Sequence, residues 1–396
     1  MAGRHAHAPA GEGRTPPAVL AGVGVLLLLV ALAMLALWPD GSTPSRAEAS
    51  RQVTGVVEGV DRQACPEAAT EGAAAPEDET CGTARVRLTS GDLDGDTVTV
   101  DIPRGVGAPT IGTGDEVAVS LFPDNPPESR YAITDHLRGT ELWVLMTAFV
   151  LAVLAFGRWR GLSALVGLGF SFAVIVGFVI PAILAGRPPL AVAIVGSSAI
   201  VLSVLYLTHG IGRTTTVAVA GTLASLVLTG LLAVLAVGAL DLTGAVDDSS
   251  VLLAEIYGVD LRGLLLAGIL IGSLGVLDDV TVTQAATVRE LATANPGYGV
   301  GELYRAATRI GRSHIASVVN TIVLAYAGAS LPLLVLVVTL DEPLGTVLTD
   351  QLVATELVRS AVGTIGLIAA VPITTLTAAV VATSRRQTEP DKPTGT

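Results

Sequence analysis

The chain has 396 residues, 51% of them hydrophobic and only 15% charged, with a formal net charge of −12 and a mean hydropathy of +0.66. A soluble chain carries about 25% charged residues. Here the apolar residues recur in runs of about 20, the length of a helix that crosses a bilayer core, which excludes a soluble globular enzyme. The sequence reads as a polytopic α-helical membrane protein whose constant partner is the lipid bilayer.

Residues 1–17 are polar, contain Arg4 and Arg14, and read as a disordered cytoplasmic tail. Residues 18–38 carry no charge and form the first expected transmembrane helix. A cleavable signal peptide is the competing reading, but its apolar region normally runs about 7–15 residues. The segment Pro39-Asp40-Gly41-Ser42 is also a poor cleavage site, which favours a retained anchor.

Residues 39–136 change period. RQVTGVVEGV, TARVRL, DTVTVDIP, DEVAVSLF and YAITD are short, rich in Val and Thr, and separated by Gly/Asp/Pro turns. That pattern predicts a small extracytoplasmic β domain of about five strands, a barrel or sandwich of the OB or SH3-like kind. Residues 61–82 read as a loop inserted between its first two strands. Both cysteines, Cys65 and Cys81, lie in this region, where a disulfide would close a loop of about 15 residues. The region holds 18 acids against 7 arginines, a balance unsuited to nucleic acid or anionic lipid.

Residues 137–383 form a seven-helix membrane domain, with spans near 137–156, 162–184, 190–208, 216–240, 264–282, 315–338 and 357–382. With the first helix this makes about eight. Arg158, Arg160, Arg213, Arg289, Arg305, Arg309, Arg312, Arg385 and Arg386 flank the ends on one side, so both termini are expected in the cytoplasm and residues 39–136 outside. Residues 384–396 read as a second disordered tail. Within 241–260, SSVLLAEIYG is too short to span and reads as an interfacial or re-entrant element. The sixth span is expected to continue as a helix to Asn295-Pro296-Gly297. GELYRAATRIGR then places Leu303, Ala306, Ala307 and Ile310 on one helix face, with Arg305, Arg309 and Arg312 on another. This is either a solvated basic loop or a helix that carries motion to the site.

The chemistry concentrates in the sixth and seventh spans. Asp278 and Asp279 interrupt an apolar helix, where an ionisable group costs roughly 2.5–3.5 kcal/mol on insertion scales. Thr281, Thr283 and Gln284 follow on the same helix. The next span opens with His314 and carries Ser317, Asn320 and Thr321 at matching depth. Carboxylates, imidazole, amide and hydroxyls suit a hard cation or a proton, so a bound cation is the candidate ligand, of unknown identity. The competing reading is a polar network that locks two helices together, at about 0.6 kcal/mol per bond. Vicinal helical residues diverge by about 100°, so the two carboxylates cannot both face one small ligand from a straight helix. Pro332 is expected to kink the seventh span.

No catalytic residue is assigned. The sequence has no Gly-x-Ser-x-Gly, His-Glu-x-x-His or P-loop pattern, and the adjacent acid pair lacks the second intramembrane acid that aspartyl chemistry needs.

LDDVTVTQA followed by GRSHIASVVNTIVLAYAGASLPLL resembles the YibE/F-like family of bacterial multi-pass membrane proteins. YAITDHLR, GRWRGL and THGIGRTT are similar to that family's landmarks, so the resemblance covers roughly residues 51–383. It implies a multi-pass architecture and supplies no reaction. Two functions are expected from the residues. The first is a transporter or channel for a small solute or ion using the Asp-Asp/His/Asn site. The second is a structural or regulatory membrane protein whose external β domain binds an envelope or membrane-protein partner.

Overall fold

The computed structural model describes residues 17–39, 51–64, 80–91, 94–105, 107–123, 125–126, 129–246, 248–339 and 343–388. The two expected tails and most of the expected insertion lie outside the described residues. The chain divides into two compact units, residues 45–156 and residues 1–44 with 157–396.

The first unit holds five antiparallel strands: β1 (Arg51–Ala64), β2 (Thr80–Leu88), β3 (Thr97–Asp101), β4 (Glu116–Leu121) and β5 (Tyr131–His136), in the order β3-β2-β1-β4-β5. Strand alternation sends Val86 and Leu88 inward while Arg85 and Arg87 stay outside, so one face is buried. Val57, Val86, Leu88, Val100, Val117, Val119 and Ile133 fill that face. The long β1 pairs on both sides and is bulged between Val57 and Gly59, which adds local twist. The sheet curls until its two edge strands, β3 and β5, approach each other.

The inserted loop is shorter than the sequence implies. Residues 61–64 of β1 pair with residues 80–83 of β2, because the hairpin ladder continues past the point where the apolar pattern stops. Gly82, at φ +146, lies there against the Asp61 carbonyl, where no β-carbon fits. Of the expected disulfide, Cys65 lies outside the described residues. Cys81 is buried and is not a free thiol, and the Arg104 guanidinium donates to its sulfur at 3.4 Å.

The helices are α1 (Pro17–Leu37), α2 (Gly139–Val174), α3 (Ile180–Leu184), α4 (Pro189–His209), α5 (Arg213–Ala239), α6 (Asp248–Tyr257), α7 (Leu261–Ala294), α8 (Val300–Ala329), α9 (Leu331–Thr339), α10 (Leu344–Thr349) and α11 (Gln351–Thr388). Six of the helical segments among the described residues are long and apolar enough to cross a membrane, or seven if α8 and α9 form one bent span. The sequence suggests more because it separates spans at GRWRG. The structure instead keeps one helical run from Gly139 to Leu184, interrupted at Arg158, whose φ of 51° and ψ of −127° are non-helical. A π-helical turn at Ile175–Val179 precedes Pro181, where the missing N–H cannot complete an α-helical bond. Pro332 sits at the start of α9, and α8 and α9 meet at a 67° bend.

The helical core is built on α5, α7 and α11, each packed on the other two, with α4 against α7 and α8 against α7 and α11. Leu226 of α5, Leu270, Leu274 and Leu277 of α7, and Leu367 and Val371 of α11 meet there. α5 and α11 approach closely through two reciprocal contacts. A β-carbon at Gly221 would collide with Thr374, and one at Gly366 with Thr229. Both pairs are eight residues apart along their helices, so the two helices run antiparallel in fixed register. Small residues permit this kind of approach where lipid supplies no hydrophobic drive.

Two further expectations resolve locally. Segment 248–257 is the ten-residue helix α6. GELYRAATRIGR is the beginning of α8, continuous with the next span. Its buried residues are Leu303, Ala307 and Gly311, while Ile310 is 49% exposed. The burying face therefore runs i, i+4, i+8, one position away from the expected Ile310 edge.

Candidate functional site

α7 ends at Ala294, with Asn295 as its C-cap, as the Asn-Pro-Gly signal implies. Along it Ser273, Leu277, Thr281, Gln284 and Val288 are buried in sequence, spaced three and four apart and therefore on one face. Asp278 and Asp279 flank that face. Asp278 is half-buried and Asp279 exposed, and the Asp278 carboxylate accepts the Asp279 backbone N–H at 2.8 Å.

Thr281 turns away from solvent. Its hydroxyl lies 2.6 Å from the Thr222 hydroxyl of α5. Thr281 is also placed to donate to the Asp278 carbonyl at 3.0 Å, and Thr222 to the Ala218 carbonyl at 2.9 Å. Two hydroxyl hydrogens serve three contacts, so the Thr222–Thr281 bond forms only when one of them leaves its backbone carbonyl. Gln284 ties three helices. Its amide donates to the Ala307 carbonyl of α8 at 3.0 Å and to the Thr375 hydroxyl of α11 at 2.7 Å. Gly311 passes beside it, where a β-carbon would stand 2.8 Å from the Gln284 carbonyl oxygen. Thr283 is exposed.

On α8, Ile315, Val318 and Ile322 pack on the apolar core, and Ser317, Asn320 and Thr321 are uncovered by protein. Thr321 donates to the Ser317 carbonyl at 3.1 Å. His314 is half-buried with its Nε2 enclosed and unpartnered. No hydrogen bond or ion pair among the described residues joins Asp278 or Asp279 to His314, Ser317, Asn320 or Thr321. The structure therefore brings Thr281 to α5 and Gln284 to α8 and α11, and leaves Asp279, Thr283, Ser317, Asn320 and Thr321 open. Among the described residues, no group of three or more His, Cys, Asp or Glu side chains could hold a metal ion.

Sequence reading passed over two polar groups. Thr222, Ser225 and Thr229 of α5 and Thr374 and Thr375 of α11 are fully buried; their three- and four-residue spacing on α5 was the available signal. Glu356 and Arg359 of α11 form a half-buried ion pair at 2.8 Å, within electrostatic range of Tyr326. Tyr326 in turn faces Gly272 of α7. The signal there was Glu-x-x-Arg inside an apolar helix.

Helices of this length and hydropathy, bearing ionisable groups between apolar faces, define a membrane protein. The chain belongs to the YibE/F-like protein family, which matches residues 145–384, more than half of its length. The match begins beyond the β strands, so the sequence resemblance taken from residue 51 extends further than the family match. No curated protein and no solved structure matches the chain.

Proposed function

We propose that this is a multi-pass plasma-membrane protein that carries or conducts a small solute or ion past Asp278 and Asp279. In this reading both termini are cytoplasmic and the β domain is outside. The Gly139–Leu184 run of 46 residues would be about 69 Å long as a straight helix, twice the hydrocarbon thickness, so it counts as two spans. The bent α8–α9 pair counts as one, for eight in all.

One observation carries the reading: Asp279 is uncovered by protein about one turn inside the end of the apolar part of α7. A carboxylate turned to hydrocarbon costs about 2.5–3.5 kcal/mol at the centre of a span on insertion scales, and a smaller but still unfavourable amount toward its end. Water or a hydrated ion on that face removes the penalty. On that face Asp279 then serves as a ligand or proton acceptor, with a cation as the candidate ligand. Asp278 on the adjoining face and the open polar residues of α8 are further polar groups along the route. The test is flux in proteoliposomes beside the Asp278→Asn/Asp279→Asn variant, paired with calorimetric titration of Na⁺, K⁺, Mg²⁺, Ca²⁺, Mn²⁺ and Zn²⁺. Flux and pH dependence that survive both substitutions would end this proposal.

The β domain favours a second reading, a non-catalytic structural or regulatory protein that binds an envelope or membrane-protein partner. Its separate apolar core belongs to a unit distinct from the helical core. Deleting residues 42–135 distinguishes the two: flux persists on the first reading, and the cellular phenotype is lost on the second.

A further inference from the structure

A cavity of about 320 Å³ opens where α5 begins and α7 and α11 run toward their ends. That volume lies at the lower end of the range for small-ligand sites. Its polar wall holds Arg213, Thr214, Arg289 and Thr293, and its apolar wall includes Val217 and Ala378. The apolar wall is fixed from below, because Val217 and Ala378 belong to a buried cluster with Leu303 of α8. Arg289 pairs with Glu290 at 3.0 Å, both side chains more than half exposed, and an anion in the cavity would share its guanidinium. Arg213 has no acidic partner among the described residues. Two guanidiniums over an apolar pocket at a helix end match an anion that carries a hydrophobic tail or sits beside one. The uncapped start of α5, whose N-cap Gly212 offers no side chain, adds the favourable end of a helix dipole.

We propose that this cavity binds a phosphoryl anion, either the headgroup of an anionic phospholipid or a free phosphate-type ligand. It is separate from the Asp278–Asp279 site and holds whether or not that site transports anything.

The test uses the full chain in neutral detergent, reading thermal unfolding against added short-chain phosphatidylglycerol, short-chain phosphatidylcholine and inorganic phosphate. Phosphatidylglycerol is expected to raise the midpoint and phosphatidylcholine to leave it unchanged. Arg213→Gln and Arg289→Gln should each weaken the apparent affinity about tenfold. Arg305→Gln, at an exposed guanidinium of α8 outside the cavity, should not change it. If inorganic phosphate matches phosphatidylglycerol, the ligand is a free phosphoryl compound; if only the amphiphile acts, it is a lipid. Should Arg213→Gln fail to fold, Val381→Trp replaces it. Val381 lines the cavity and is 38% exposed, so the larger side chain fills the space with both charges retained, and it must also weaken binding. No shift with any anion, or a shift that both the Arg213→Gln and the filling variants retain, overturns the proposal.

Discussion

Thr229 of α5 lies against Gly366 of α11 so closely that no β-carbon fits at the glycine. The Thr229 Cβ and Cγ2 would stand 3.1 and 3.3 Å from that added atom, so rotating the hydroxyl does not clear the space. Gly366→Ala should therefore destabilise the protein by about 1–3 kcal/mol, the usual cost of overpacking. Thr229→Ala should relieve part of it, so the double variant loses less than the sum of the singles. Thermal unfolding of the four proteins in detergent measures this. Additive losses would mean the helices separate there and the contact sets nothing.

Gln284 offers a second cycle on the same core. Its side chain bonds α8 and α11 at once, but intramembrane hydrogen bonds average about 0.6 kcal/mol. Gln284→Leu is thus expected to cost only about 1–2 kcal/mol, because the Ala307 carbonyl keeps its helical N–H partner within α8 and the Thr375 hydroxyl keeps the Val371 carbonyl. Gly311→Ala, blocked by both Gln284 and Val371, should cost more than Gln284→Leu. A reversed order would place the strain elsewhere.

How much of this was legible follows from periodicity. The five strands announced themselves by alternation and turn residues, and α7 by its Asn-Pro-Gly stop. The ends of β1 and β2 were hidden because residues 61–64 and 80–82 are too polar or small to look like strand; only the backbone ladder shows them. Asp278 and Asp279 were conspicuous as charge in an apolar run. Which way Thr281 and Gln284 turn was not legible, because it depends on α5 and α11 arriving from 59 and 91 residues away in sequence. Arg359 was overlooked because it is a single charge in the otherwise apolar window 357–382, which stays apolar on average.

Outside the membrane segments, the Arg138 guanidinium hydrogen-bonds Asp135 and holds its carboxyl below the ordinary value of 3.8, assisted by the His136 backbone N–H. A depressed carboxyl stabilises the folded state above its unfolded pKa and loses that contribution as pH falls through the folded value. The window therefore lies below about pH 4, and neutral pH changes should not touch it. Arg138→Gln is expected to move the Asp135 titration upward, followed by NMR of the side-chain carboxyl. An unchanged titration would assign the shift to the backbone N–H alone.

The Glu356–Arg359 pair makes an asymmetric prediction. The two side chains meet at 2.8 Å and are about one quarter exposed, while the Arg359 Nε is enclosed without a partner. Removing one partner leaves the other charge poorly solvated; removing both leaves no charge at all. Arg359→Gln should therefore cost about 1–3 kcal/mol, below the fully buried range because water still reaches the pair. Arg359→Gln/Glu356→Gln should recover most of that loss. Unfolding midpoints of the two variants beside the parent decide it. If the double variant is as unstable as the single, the arginine stem contributes by packing, and the ion pair itself contributes little.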